Sequence, residues 1–112
     1  MTPDRETARL EGSAPLFAAL GDATRLRLMA RLSRGGPQSI VRLTRGTRFT
    51  RQAITKHLRV LEDVGIVRGV RSGRENLFEL DPAPIAEVRS YLELVSEEWD
   101  KTLARLKSFV ER

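Results

Sequence analysis

Thr50-Arg-Gln-Ala-Ile-Thr-Lys-His-Leu-Arg-Val-Leu-Glu-Asp-Val-Gly-Ile-Val67 is the stretch whose reading decides the fold. Thr50 is a residue type whose hydroxyl can accept from a free amide in the first helical turn, so it predicts a helix start. Ile54, Leu58 and Leu61 follow at i, i+4 and i+7, the spacing that gathers apolar side chains on one helical face. Gly65 ends the run, which places a helix over 51–64. The opposite face presents Gln52, Lys56 and Arg59, with Arg51 and Thr55 beside them near the N-terminus.

Upstream, Ser39 can cap a short helix that turns Ile40, Val41 and Leu43 inward, and Gly46 supplies the tight turn before Thr50. A short helix, a glycine turn and a longer helix with a polar outer face form a helix-turn-helix pattern, in which the first helix braces the second. Downstream, Ile66–Val70 and Glu75–Leu80 flank a glycine-containing turn, the signature of a β-hairpin with the basic tip Arg71-Ser72-Gly73-Arg74. Nearer the N-terminus, Ala14–Leu20 reads as a short helix capped by Ser13. Asp22 starts another, whose expected core face is Leu26, Met29 and Ala30, with Leu28 or Leu32 on its flanks. Gly35-Gly36-Pro37 stops that helix.

Asp81-Pro82-Ala83-Pro84 opens a final helix over about 84–111. Its stripe of Ile85, Val88, Leu92, Val95, Trp99, Leu103, Leu106 and Val110 advances 25 residues in seven steps, close to the helical period of about 3.6. The expected architecture is mainly α with a small β-hairpin: a winged helix-turn-helix with a long C-terminal dimerisation helix. Residues 1–12, polar and of mixed charge, read as a frayed or disordered lead-in, and residues 13–112 as the DNA-binding domain.

Composition narrows the function. The 112 residues contain no cysteine, which excludes disulfides, thiolate nucleophiles and thiolate metal centres. His57 is the single histidine and lies at the margin of a buried face, so it reads as a local packing or hydrogen-bonding group; no metal site and no cofactor is expected. No nucleophile–base pair or phosphate loop is present, so the chain does not read as an enzyme. Glu93, Glu97 and Glu98 have no His or Cys beside them and read as a solvated face. No run of about 18 apolar residues suggests a membrane span, and a cytoplasmic location is expected.

The net charge of +5 is unevenly spread. Ile40–Glu75 holds nine basic residues against Glu62, Asp63 and Glu75, a balance of +6, whereas Ile85 to the end holds five basic and six acidic residues, a balance of −1. Positive charge gathered on the helix-turn-helix and hairpin is the footprint of a polyanion binder, here double-stranded DNA. Arg51 and Gln52 can form paired hydrogen bonds to base edges. Lys56 and Arg59 can meet phosphates, with Thr50, Thr55 and the helix amides adding neutral contacts. Arg71 and Arg74, at the hairpin tip, suit the negative potential of the adjacent minor groove.

The last helix carries more apolar surface than a domain of this size can cover. Leu92, Val95, Trp99, Leu103 and Leu106 are therefore expected to pair with a second copy, which would also set two reading helices one DNA turn apart. The alternative is a winged-helix protein-interaction module without DNA readout, for which apolar anchors rather than cations would be expected on helix 51–64.

Three segments in order resemble the ArsR-type (ArsR/SmtB) winged helix-turn-helix repressors: Leu16-Phe-Ala-Ala-Leu-Gly-Asp-Ala-Thr-Arg-Leu-Arg-Leu28, the Thr50–Val67 stretch, and Arg71-Ser-Gly-Arg-Glu-Asn-Leu-Phe-Glu-Leu80. The resemblance implies a dimeric repressor on an imperfect palindrome, with DNA contacts falling on Arg51, Gln52, Thr55 and Lys56. A repressor of this kind needs a signal that weakens DNA binding, so an unidentified small-molecule or protein inducer is a further candidate partner. Metal sensors of the family carry cysteines in the short third helix or His and acidic ligands in the last one. Ser39-Ile-Val-Arg-Leu-Thr-Arg45 and the histidine-free final helix look instead like a non-metal-sensing branch.

Overall fold

The computed structural model describes residues 5–111 and runs α1 (Arg5–Leu20), α2 (Ala23–Gly35), α3 (Ile40–Thr44), α4 (Arg51–Asp63), β1 (Val67–Ser72), β2 (Glu75–Leu80) and α5 (Pro82–Val110). Four helices start on a side-chain cap that takes up an amide with no partner of its own. Asp22 accepts from Arg25 N at 3.0 Å, Ser39 from Arg42 N at 3.2 Å, Thr50 from Ala53 N at 3.1 Å and Asp81 from Ala83 N at 3.0 Å. The Arg25 amide hydrogen bond also holds the Asp22 carboxyl below its usual range.

Gly65 does more than stop α4. With φ +79° it lets Gly65 N donate to Glu62 O and Ile66 N donate to Leu61 O, both at 2.9 Å, which is the Schellman arrangement. The accompanying apolar contact is Ile66 against Leu61, both fully buried, and it launches β1 from the core. β1 and β2 pair antiparallel from Val67↔Leu80 to Ser72↔Glu75. The two-residue loop has positive φ at Gly73 and not at Arg74, the glycine-first pattern of a type II′ turn.

One core serves all these elements. Leu16 and Ala19 of α1, Leu28 and Leu32 of α2, Leu43 of α3, Ile54, Leu58 and Leu61 of α4, Ile66, Val67 and Val88 form a single buried cluster. The inward faces expected for α4, and Leu43 for α3, are as the spacing implied. Val41, expected inward, is exposed, because five residues of helix turn only one side fully to the core.

Three further expectations are corrected. The core face of α2 is Leu28 and Leu32, with Met29 partly buried, while Leu26 is 49% exposed. Both stripes satisfy helical spacing, and the i, i+4 pair is the one that joins the shared core. The first helix begins at Arg5 rather than near Ala14, so residues 5–12 of the expected lead-in are helical; residues 1–4 lie outside the described residues. Pro15 reads as a helix start because proline suits that position, yet here it sits inside α1, where it forgoes one backbone hydrogen bond. Finally, β1 extends through Arg71 and Ser72, so the turn is Gly73-Arg74 alone.

Gln38, which no local sequence pattern marks, is the one buried polar residue among the described residues. Its backbone bridges Phe78 in both directions, at 3.0 and 2.8 Å, and its side-chain amide donates to Arg31 O at 2.8 Å. It thereby ties the end of α2 to the hairpin.

Candidate nucleic-acid interface

α4 is divided cleanly by burial. Ile54, Leu58 and Leu61 are buried, while Arg51, Gln52, Lys56 and Arg59 on the outer side are exposed and Thr55 is half-buried. The Thr50 hydroxyl oxygen is occupied as the helix cap, and the Thr55 hydroxyl donates to Arg51 O at 2.7 Å. Both retain a lone pair for a further contact, but their first duty is local.

α3 is too short to persist alone and is held by Arg31 of α2. The Arg31 guanidinium donates to Leu43 O at 2.5 Å, Arg42 O at 2.7 Å and Arg45 O at 3.1 Å, which satisfies the carbonyls at the end of α3. Gly46, with φ +76°, then makes the turn into Arg48-Phe49-Thr50.

Much of the positive charge of this segment is unpaired. Arg42, Arg45, Arg48, Arg51, Lys56, Arg59 and Arg74 are exposed, and among the described residues none of them is in an ion pair. Arg68 is different: its Nε donates to Glu79 Oε1 at 2.7 Å across the hairpin, and that carboxylate raises its affinity for the proton. In the sequence Arg42, Arg45 and Arg48 register only as charge. Arg42 and Arg45 line a groove with Glu75, Asn76 and Leu77 of the hairpin, a neighbourhood that local spacing does not encode. Arg71 on β1 faces Asn76 in register and makes a long 3.4 Å contact to Gly73 O, while Arg74 occupies the turn.

Away from this surface, α5 carries Leu92, Trp99, Leu103, Leu106, Phe109 and Val110 exposed, with Trp99 at 61%, and Val95 half-buried. Twenty-nine residues of helix span about 44 Å, which is why so small a chain is 67 Å long. Among the described residues no three His, Cys, Asp or Glu side chains gather as a metal site. No helix among them is long and apolar enough to cross a membrane.

Residues 20–70 match the family model described as a helix-turn-helix domain. The chain is 30% identical over 98 residues to the HTH-type transcriptional regulator Rv2034 of Mycobacterium tuberculosis, covering 77% of this chain and 91% of that one. It is similar in structure to an ArsR-like transcriptional regulator from Rhodococcus sp. RHA1, with TM-score 0.79, 35% identity, and coverage of 91% and 95%. A homodimeric winged helix-turn-helix DNA-binding domain from Mycobacterium bovis, Mb0332, shares the fold at TM-score 0.66 and 21% identity, with coverage of 88% and 90%. Rv2034 and the Rhodococcus protein are both described as transcriptional regulators.

Proposed function

Since the chain belongs to the ArsR family of winged helix-turn-helix transcriptional regulators, we propose that it is a homodimeric repressor that reads a palindromic operator without a metal. α4 lies in the major groove, where Arg51 and Gln52 address base edges and Lys56, Arg59, Thr50 and Thr55 address the backbone. Arg71 and Arg74 of the hairpin reach the minor groove. Arg42, Arg45 and Arg48 extend the phosphate-facing surface on either side of the turn. Operator occupancy excludes polymerase from the promoter.

The observation that carries this reading is the outer face of α4, exposed and cationic over a fully buried inner face. A protein-docking helix would present several apolar anchors there, and among the large hydrophobics of α4 only Val60, 38% exposed, reaches the surface. Pairing through α5 is supported by its uncovered apolar stripe and by the homodimeric state named for Mb0332.

Two substitutions separate base readout from phosphate attraction. Gln52→Ala is expected to cost about 1–3 kcal/mol at one base position and to relax preference there. Arg59→Ala is expected to weaken all duplexes alike and to reduce the slope of log affinity against log salt by about 1. Binding titrations on a panel of single-base variants decide it; the reverse pattern would overturn the assignment of roles.

A further inference from the structure

α4 is joined to the rest of the protein mainly by apolar packing of Ile54, Leu58 and Leu61, which chooses its buried face but, being non-directional, opposes small rotations about the helix axis less sharply than a hydrogen bond does. One polar tie narrows that freedom. Arg25, near the start of α2, donates from Nε to Ala19 O at 2.6 Å and from Nη2 to Ala18 O at 3.3 Å, so its guanidinium is clamped to the end of α1. Its Nη1 lies 3.3 Å from His57 Nδ1 on α4. A guanidinium has no acceptor, so this contact is a hydrogen bond when His57 Nδ1 carries no proton and accepts. Asp22 Oδ1 stands 3.8 Å from the same nitrogen, and the Phe49 ring meets the imidazole edge-on with centroids 6.3 Å apart. Among the described residues, no other side-chain hydrogen bond links α4 to another helix or to the hairpin.

From this we infer that Arg25 and His57 are a positioning pair that sets the rotation of the reading helix against the α1–α2 corner, and so governs sequence discrimination rather than overall attraction to DNA. The inference rests on the DNA-reading role proposed above. Base readout is sensitive to such a rotation: about 20° moves a side-chain tip at the 5–6 Å helix radius by about 2 Å, enough to lose a hydrogen bond to a base edge. Phosphate attraction, being long-ranged and non-specific, changes little.

The test uses duplexes enriched from a random pool by the wild-type protein, measured against a scrambled duplex of the same composition, with dimer mass and thermal unfolding followed alongside. His57→Leu, which fills the space without an acceptor, is expected to lower the enriched-to-scrambled affinity ratio at least about tenfold while scrambled binding stays within about twofold. His57→Gln, whose side-chain oxygen can accept from Arg25, is expected to recover most of the ratio. Should His57→Leu melt below the assay temperature, Arg25→Lys replaces it; this keeps the charge but loses the planar fork, and the same selective loss is expected. An unchanged ratio, or equal loss on both duplexes, with enrichment by the wild type intact, would overturn the positioning pair alone. A wild-type pool with no enriched sequence would instead overturn the DNA-reading role beneath it.

Discussion

A Trp99→Asp, Leu103→Asp double substitution yields a folded monomer that has lost its hold on the operator. Both side chains are more than half exposed in the protomer, at 61% and 54%, so neither change removes core packing from the single chain. Each would instead place a carboxylate in the proposed seam between two α5 helices, where an unpaired charge is costly to bury. Losing the partner removes the second reading head. Simultaneous engagement of two half-sites contributes on the order of 10²–10⁴-fold in affinity, so a drop of at least about 100-fold on a full palindrome is expected. Light scattering should report half the mass, and helical circular dichroism should persist. An unchanged mass would place the dimer seam elsewhere.

Leu58→Ala is the substitution expected to cost most in stability. Leu58 is 1% exposed, between Ile54 and Leu61 on the inner face of α4, within the one core that all five helices and the hairpin share. Truncating a buried leucine costs about 2–5 kcal/mol, depending on how far the neighbours collapse into the space. Against a total of roughly 5–15 kcal/mol for a protein of this kind, that is a large share. Urea unfolding at fixed protein concentration should show a lower midpoint with little change in slope. A loss under about 1 kcal/mol would mean that the site is not the packed centre of the fold.

The legible parts of this molecule are those written in local spacing. Thr50, Ile54, Leu58 and Gly65 announce α4 within sixteen residues, because cap, stripe and stop all act within a turn or two of one another. The hairpin and its glycine were legible for the same reason. What escaped depends on elements far apart in sequence. Gln38 meets Phe78 across forty residues, and Arg25 meets His57 across 32, pairings that no local periodicity encodes. The face of α2 is not legible locally because Leu26 and Leu28 fit helical stripes equally well, and only the elements packed on α2 select between them. Pro15 concealed the early start of α1 by imitating a first helical residue. Among the candidate contacts, the exposed face of α4 is readable from its amphipathic pattern, whereas the groove that Arg42 and Arg45 share with Glu75, Asn76 and Leu77 joins residues thirty or more apart in sequence.

The reading-helix account is tested most directly by selecting bound duplexes from a random pool with the wild-type dimer and titrating the winners at several salt concentrations. It requires enrichment of an inverted repeat whose half-site centres lie about one helical turn, 10–10.5 base pairs, or a multiple apart. Affinity for that repeat should fall steeply as salt rises. Recovery of all sequences alike, or of a lone motif with no symmetric mate, would contradict it.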